Sequence, residues 1–177
     1  ERINEDMHVK DLNPCRHLTL SWQNDRLLRL TPLAESDDGK SRITKFARHG
    51  QRRAHHKGAL PNHAGWVLDQ ESFFKTHDFL HSQAYFSCVT SATKHQQSIK
   101  MTLPAGLYLE IIFSGTFCEN AAKLSTRIEH FLQANDLEPV GNIYILPLEN
   151  HWFSCDCEQY VNKIFLKVED KDTTSLT

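Results

Sequence analysis

The sequence has no long apolar segment, no excess of one charge and no visible export signal. Apolar residues make up 40% of the 177 residues, but no run approaches the roughly 18 that a membrane-spanning helix needs. The first ten residues lack an apolar signal core, so a cytoplasmic protein without a membrane partner is expected. Twenty Lys and Arg against 22 Asp and Glu give a formal net charge of −2. This balance argues against a stand-alone nucleic-acid binder and against an acidic disordered chain.

The five cysteines form neither a disulfide framework nor a clear metal site. An odd number, scattered over a chain of this length, is atypical of a secreted, disulfide-bonded domain, so reduced thiols are expected. Cys155 and Cys157 stand in C-x-C spacing, and there is no second cysteine pair, whereas a structural zinc site usually needs four ligands. Histidines around His55 could add ligands, but a surface turn and a polar helix face explain both groups. We therefore predict no metal ion and no other cofactor.

Recognisable catalytic motifs are also missing. The sequence has no glycine-rich phosphate loop, no G-x-S-x-G and no H-E-x-x-H. Cys118 and His130 are twelve residues apart, and His151 lies near Cys155, but neither spacing specifies a nucleophile beside its base. We predict no enzymatic activity and no catalytic residue, with a small hydrolase as an alternative.

A weak internal repeat predicts an α+β fold. Lys10 and Pro14 recur 90 residues later as Lys100 and Pro104. In each copy the pattern predicts two strands on either side of a proline. A predicted helix and two further predicted strands follow in each copy. The expected fold is therefore a duplicated β-α-β-β unit with two main helices.

The second half carries the clearer signals. Thr116 and Glu119 form a capping box, and an apolar stripe behind it predicts a helix that ends near Asn135 and Pro139. The stripe consists of Ala121, Leu124, Ile128, Phe131 and Leu132. Strands are predicted over 142–148 and 159–168. In the last strand, an apolar set alternates with a charged set, as is typical of a half-buried antiparallel strand. These sets are Ile164, Leu166 and Val168, and Lys163, Lys167 and Glu169.

The first half gives weaker signals. A helix is predicted over 38–56, with Ile43, Phe46 and Ala47 facing inward. Further strands are predicted over 64–69 and 82–90.

The helix of the first half contains a basic stretch. Seven Lys and Arg occur from Lys40 to Lys57, with no acidic residue between them. Three readings stay open for this stretch: a solvated helix face, a contact with DNA phosphates, and a site for an anionic effector.

Residues 98–169 resemble the effector-binding domain shared by gyrase-inhibitor-like proteins and MerR-type multidrug-responsive transcription regulators. The resemblance is carried, in order and spacing, by 103–108 (LPAGLY), 113–115 (FSG), the capped helix, 142–144 (NIY) and 158–160 (EQY). The first half matches more loosely, over 9–22 and 82–90. The resemblance implies curved antiparallel sheets around a ligand cavity, in agreement with the α+β repeat.

The resemblance implies a sensor of a small lipophilic effector, cationic and drug-like in the drug-responsive members. In MerR-type regulators an N-terminal helix-turn-helix binds promoter DNA and a long helix forms a dimer. Promoter DNA and RNA polymerase would then be partners only through an N-terminal domain missing from this chain, and the longer protein would be a homodimer. Residues 1–6 are expected to end a linker helix, 7–169 to form the domain in halves of about 7–90 and 97–169, and 170–177 to be a disordered tail. A stand-alone gyrase-inhibitor-like binding protein is the alternative.

The resemblance also implies which residues bind the effector. Drug-responsive members hold lipophilic cations between aromatic rings and carboxylates, because ring faces attract a cation and an acid offsets its desolvation. One family acid falls on Glu158 and a pocket tyrosine on Tyr160. A second acid position is occupied by Ile145, which counts against binding of these cations.

Glu110 is the residue that could replace the missing acid. It interrupts an apolar strand, and alternation places it on one face with Tyr108 and Ile112. An effector-binding acid, a solvent-facing residue and a structural ion pair all remain open for it. Candidate ring walls, each with ordinary core packing as the alternative, are Trp22, Trp66, Tyr85, Tyr144 and Trp152.

Overall fold

The chain forms an antiparallel sheet and two long helices. The computed structural model describes residues 3–4, 15–54, 64–78, 81–89, 99–149 and 160–171. The strands within these residues are β1 (Ile3–Asn4), β2 (Cys15–Gln23), β3 (Arg26–Pro32), β4 (Gly65–Leu68), β5 (Ala84–Cys88), β6 (Ile99–Leu103), β7 (Gly106–Ser114), β8 (Leu137–Glu149) and β9 (Val161–Asp170). The helices are α1 (Gly39–Ala54) and α2 (Phe117–Ala134), and a π-helical turn covers Ser72–Thr76. The predicted α+β class is confirmed.

All of these strands lie in one curled, half-barrel sheet. Their order is β1-β2-β7-β9-β8-β4-β5-β3-β6, and each neighbouring pair is antiparallel. Leaving out the short β1, the strands β2, β3, β4 and β5 of the first half correspond to β6, β7, β8 and β9 of the second half. Exchanging each strand with its counterpart reverses the order of the sheet. The two halves of the chain are therefore related by a pseudo-twofold axis. The first strand of each half lies in the other half: β2 pairs with β7, and β6 pairs with β3.

The predicted 90-residue offset of the repeat is wrong. The sequence predicts no strand at β3, yet β3 begins at Arg26 and its counterpart β7 begins at Gly106, 80 residues later. The segment 17–20, which the repeat aligned with 107–110, lies beside it instead, because Leu20 pairs with Leu109. The positions of Lys10 and Pro14 lie outside the described residues. The proposed domain boundaries stay a prediction.

The predicted capped helix of the second half is confirmed as α2. Thr116 precedes its first turn, and its Oγ1 accepts the Glu119 N–H at 3.4 Å. The Thr116 hydroxyl also donates to the Glu119 carboxylate at 2.6 Å, so the two side chains meet directly. The predicted stripe packs on the sheet: four of its residues are buried, and Phe131 is partly buried. The four are Ala121, Leu124, Ile128 and Leu132.

Of the two predicted strands of the second half, β8 is longer than predicted and β9 has the predicted length but lies two residues later. β8 starts at Leu137 and includes both Pro139 and Pro147, so Pro139 does not mark a gap after the helix. Register shifts between Val140 and Ile143 and just after Pro147 interrupt the ladder with β9. Such bulges allow prolines in a paired strand, because a bulge leaves a backbone position without a ladder bond.

The predicted inward face of α1 is wrong. Ile43 is 71% exposed and Phe46 is 41% exposed, and Ala47 is exposed as well. Phe46 reaches the sheet only by an edge contact with the Tyr85 ring, at 5.2 Å between centroids.

Among the α1 side chains that the structure describes, the buried one is polar: His49. It is 1% exposed, and its ring nitrogens lie 2.7 Å from Thr31 Oγ1 and 2.8 Å from Ser87 Oγ. Its carbonyl accepts an N–H of the buried Arg29 side chain at 2.7 Å. The strip of β3 and β5 beneath the helix is polar, so the helix needs a hydrogen-bonding side chain there rather than an apolar one. No helix among the described residues is long and apolar enough to cross a membrane.

Candidate ligand-binding face

Side-chain alternation gives the sheet two distinct faces. The helix face packs against α1 and α2 and carries the larger apolar core, including Leu109, Ile111 and Ile164. The opposite face, which we call the aromatic face, carries a second buried cluster. Its members are Leu28, Val67, Ala84, Phe86, Leu103, Tyr108, Tyr144 and Phe165. Because these residues come from β3 to β9, the aromatic face spans both halves of the chain.

Three rings of the aromatic face form one wall. Tyr144 and Phe165 stack, with centroids 5.1 Å apart and planes 10° apart. Phe86 meets both edge-on, at 5.5 Å from Tyr144 and 5.9 Å from Phe165. Such stacked and T-shaped contacts add to the free energy of burial, so the wall is a rigid apolar surface.

The two tyrosine hydroxyls of the aromatic face are weak acids. Tyr108 is 1% exposed and its hydroxyl donates to the Pro104 carbonyl at 2.8 Å. Burial raises the pKa of Tyr108. Burial, and then the neighbouring Tyr108, raise the pKa of Tyr144 to about 12. Both groups are therefore neutral near pH 7 and can bind a ligand only as neutral hydroxyls.

Arg26 places a guanidinium among these rings. It begins β3 and pairs with Leu103, which puts its side chain on the aromatic face. Its Cζ lies 4.6 Å from the Phe165 ring centroid and 5.2 Å from that of Tyr108. Its Nε and Nη2 atoms are buried and have no hydrogen-bond partner within the described residues.

Glu110 forms an ion pair on the aromatic face. Its Oε1 lies 3.1 Å from Lys163 Nζ, and the side chains are 17% and 24% exposed. Of the three readings that the sequence left open, the structure shows an ion pair and not a solvent-facing residue. Lys167 pairs in the same way with Glu169 at 2.6 Å. Whether Glu110 binds an effector stays a prediction.

Three of the predicted ligand residues lie on the helix face and not on the aromatic face. Ile145 is 0% exposed in the core under the helices, and Trp66, its cross-strand partner, packs against the same core. Trp22 pairs with Leu107 on the helix face and is 70% exposed. In a strand, neighbours point in opposite directions, so Tyr144 on the aromatic face forces Ile145 to the other side. Tyr85 is also on the helix face, where its ring meets α1.

Three other predicted residues, Tyr108, Tyr144 and Glu110, lie on the aromatic face. Alternation along the strand had grouped Tyr108 with Glu110, and a role of these residues in binding stays a prediction. The backbone carbonyl of Tyr160 accepts the Gly115 N–H at 2.8 Å, just before β9. Glu158 and Trp152 lie outside the described residues, as do Cys155 and Cys157.

Sequence reasoning missed several residues of the aromatic face, among them Arg26, Phe86, Lys163 and Phe165. Of these four, Arg26 has a usable local signal, since the turn-favouring residues Asn24 and Asp25 precede it and apolar and polar residues alternate from Leu28 to Thr31. The other three can be assigned only when the pairing of β5 and β9 with their neighbours is known. Phe165 also shows that β9 is buried on both faces at its centre, although its predicted alternation is correct for Ile164.

The helix face carries a shallow groove of about 460 Å³. It lies between the π-helical turn, the end of α2 and the start of β8. Its lining includes Phe74, Leu132 and Pro139 beside charged side chains such as Glu71 and Lys75. None of the predicted ligand residues that the structure describes borders it.

The nucleophile pair considered from the sequence is not assembled. Cys118 and His130 both lie in α2, twelve residues or about 18 Å apart along the helix axis. Burial raises the pKa of the Cys118 thiol, which disfavours the reactive thiolate. Among the described residues, no three His, Cys, Asp or Glu side chains are grouped to hold a metal ion.

No protein-family model and no curated protein sequence matches this chain. Solved structures match its fold. The EcmrR C-terminal domain aligns with a TM-score of 0.64 and 14% identity over 90% of this chain and 99% of that domain. EcmrR in its DNA complex aligns with a TM-score of 0.65 and 14% identity over 87% of this chain. There, the present chain spans 57% of the EcmrR chain.

Two further similarities concern a drug-like ligand and an enzyme. SAV2435 bound to tetraphenylphosphonium aligns with a TM-score of 0.51 and 14% identity, over 87% of this chain and 94% of that one. A Listeria innocua hydrolase aligns with a TM-score of 0.56 and 9% identity, over 89% and 94% of the two chains. The chain therefore has the gyrase-inhibitor-like fold that the sequence resemblance predicted. It shares that fold with the EcmrR C-terminal domain and with SAV2435.

Proposed function

We propose that this chain is the effector-binding domain of a transcription regulator and that it binds a small lipophilic molecule on the aromatic face. The observation that carries the proposal is the buried wall of Phe86, Tyr144 and Phe165 on the side of the sheet opposite α1 and α2. Apolar, aromatic linings with few polar groups are typical of small-molecule sites. SAV2435, which has this fold, is bound to a lipophilic ion.

In this proposal the chain supplies one of the two sites that a regulator needs. Ligand binding affects transcription only if it is coupled to a second site that binds DNA. Promoter DNA and RNA polymerase would be reached through another part of a longer, cytoplasmic, homodimeric protein. The DNA complex of EcmrR, of whose chain the present one spans 57%, supports this arrangement.

Binding of Nile red, a neutral lipophilic dye, tests the proposal. Its fluorescence should rise on titration with the protein and saturate at one dye per chain. Tyr144→Leu removes part of the aromatic wall and should weaken binding roughly tenfold, about 1.4 kcal/mol. Tyr85→Leu is the matched control, because Tyr85 is an equally buried tyrosine on the helix face, and it should leave the affinity unchanged. Equal effects of the two substitutions, or no dye binding, would overturn the proposal.

A stand-alone binding protein is the second candidate. SAV2435 favours it, since the alignment covers 94% of that chain and therefore leaves little room for another domain there. The coding sequence upstream of residue 1 separates the two candidates. A helix-turn-helix followed by a long heptad helix supports the regulator, and a start codon beside Glu1 supports the stand-alone protein.

A further inference from the structure

The guanidinium of Arg26 lies over two rings of the aromatic face. The guanidinium lies within 5.2 Å of the ring centroids of both Tyr108 and Phe165. Cation–π contacts stabilise the guanidinium but give its N–H groups no acceptor. Its Nε and Nη2 atoms are buried and unpartnered within the described part of the chain. Because burying such donors costs free energy, an acceptor that enters this face would be stabilised there.

The carboxylates near this guanidinium are already engaged. Glu110 pairs with Lys163, and Glu169 pairs with Lys167. Asp25, the preceding residue in the chain, accepts a backbone N–H at 2.7 Å. Among the described residues, no carboxylate forms an ion pair with the Arg26 guanidinium, whereas Lys163 and Lys167 each have a carboxylate partner.

This arrangement sets the charge of a suitable ligand. A cationic ligand would have to displace the guanidinium from the ring faces and would be repelled by it at close range. An anionic ligand would instead accept from the two buried N–H groups. Guanidinium groups bind carboxylate and phosphate-like oxygens through two parallel hydrogen bonds, which makes such contacts both strong and directional.

We infer that the effector of this domain is an organic anion with an aromatic body, such as an aryl carboxylate or sulfonate. Its acid group binds the Arg26 guanidinium, and its apolar body packs against the Tyr144 and Phe165 rings. The inference rests on the proposed function and specifies the chemical class of the effector. It places the anion on Arg26, not on the basic stretch from Lys40 to Lys57 that the sequence singled out.

Two ions of nearly equal size and opposite charge test the inference: tetraphenylborate and tetraphenylphosphonium. Each is titrated against the protein with Nile red as the displaced reporter. Tetraphenylborate should bind at least roughly tenfold more tightly, because the guanidinium charge attracts it at close range and repels tetraphenylphosphonium. A second pair, 2-naphthoate and 2-naphthamide, tests the contact with oxygen at constant shape, and the carboxylate should bind more tightly.

Substitutions at Arg26 link any preference to this residue. Arg26→Met should abolish the preference for the anion in both pairs. Arg26→Lys keeps the charge but not the two-pronged donor, so it should retain the tetraphenylborate preference and reduce the naphthoate preference. Arg48→Met, on the exposed surface of α1, is the matched control and should change neither. Circular dichroism melts establish that each variant is folded.

The possible failures are distinguishable. One outcome is that Nile red binds but the two tetraphenyl ions have equal affinities, or tetraphenylphosphonium binds more tightly. This outcome overturns the inference and leaves the proposed function standing. The same holds if Arg26→Met keeps the wild-type preference. If neither the dye nor any of the four compounds binds, the proposed function falls, and the inference with it. The wild-type and Arg26→Lys measurements decide the question even if Arg26→Met does not fold.

Discussion

Glu110 and Lys163 form an ion pair on the aromatic face, in which each charge offsets the other. Both side chains are less than one quarter exposed, with 3.1 Å between Oε1 and Nζ. Removing one partner of such a pair leaves the other desolvated and uncompensated. We expect Glu110→Gln to lower the free energy of unfolding by about 1 kcal/mol, and Lys163→Met to do the same.

A double-mutant cycle in urea measures this coupling. The double variant should lose less stability than the sum of the two single losses, because neither charge is then left alone. Strictly additive losses would mean that the two groups do not interact in solution. Unchanged binding of 2-naphthoate by Glu110→Gln would separate the ion pair from the site of the effector.

Single residues of the site could be predicted only in part. Alternation along one strand correctly groups Tyr108 with Glu110, since that pattern is local. Alternation cannot say which face of the sheet receives the helices. Ile145 was named through the family resemblance and Trp66 as a candidate ring wall, and neither criterion depends on the pairing that puts both side chains on the helix face. Phe165 becomes a site residue only through its cross-strand pairing with Tyr144, a contact between distant parts of the sequence.

At the scale of elements, two carboxylates, Asp37 and Asp38, hold the start of α1. Asp37 accepts hydrogen bonds from the Lys45 ammonium at 2.5 Å, the Ser41 hydroxyl at 2.6 Å and the Ala34 N–H at 2.7 Å. These contacts, with Lys45 the largest, hold the pKa of Asp37 well below its ordinary value of 3.8. The carboxylate thus connects the loop after β3 to the first two turns of the helix.

Because folding lowers the pKa of Asp37, the stability that this carboxylate contributes should decrease as the pH falls. Asp37 contributes stability in full above its unfolded-state pKa, and this contribution is lost as pH falls through the lower folded-state pKa. Asp37→Asn should therefore lower the melting temperature at pH 7. The difference in melting temperature between Asp37→Asn and the wild type should narrow as pH falls below about 4. Glu35→Gln, an exposed carboxylate two residues earlier, is the control and should melt like the wild type. A gap that is constant with pH would exclude this role.

The two helices differ in how far their sequences predict them. In α2, the cap, the stripe and the exit residue agree with one another, and the helix appears where they indicate. In α1, helix formation was predicted correctly but its orientation was not. Its contact surface is built from His49 and polar groups of β3 and β5, and hydrophobic periodicity carries no information about such a surface.

At the scale of the whole molecule, the exchange of first strands makes the two halves one folding unit. β2 completes the second half and β6 completes the first. Ile128→Ala, at a fully buried position of α2, should cost about 3 kcal/mol. Calorimetry should show one transition that moves as a whole to lower temperature. Two transitions, of which only one moves, would mean that the halves unfold separately.

The global arrangement could be predicted only as a class. The same order of elements in both halves led to the α+β fold, and the family resemblance agreed with it. The sequence repeat aligned the two halves in the wrong register. The strand β3 was not recognised, so the counterpart of β7 was sought in β2. Which strand of one half enters the other is a property of tertiary pairing, and no local pattern encodes it.

The exchanged strand β2 also has a consequence for synthesis of the chain. β2 ends at Gln23, while its long neighbour β7 begins at Gly106. At ribosomal speeds of roughly 5–20 residues per second, β2 emerges about 4 to 17 s before the strand it must pair with. During that interval Leu18 and Leu20 have no native partner in β7. Folding of this protein on the ribosome must therefore wait for its second half, and chaperones that cover apolar strands would act in that window.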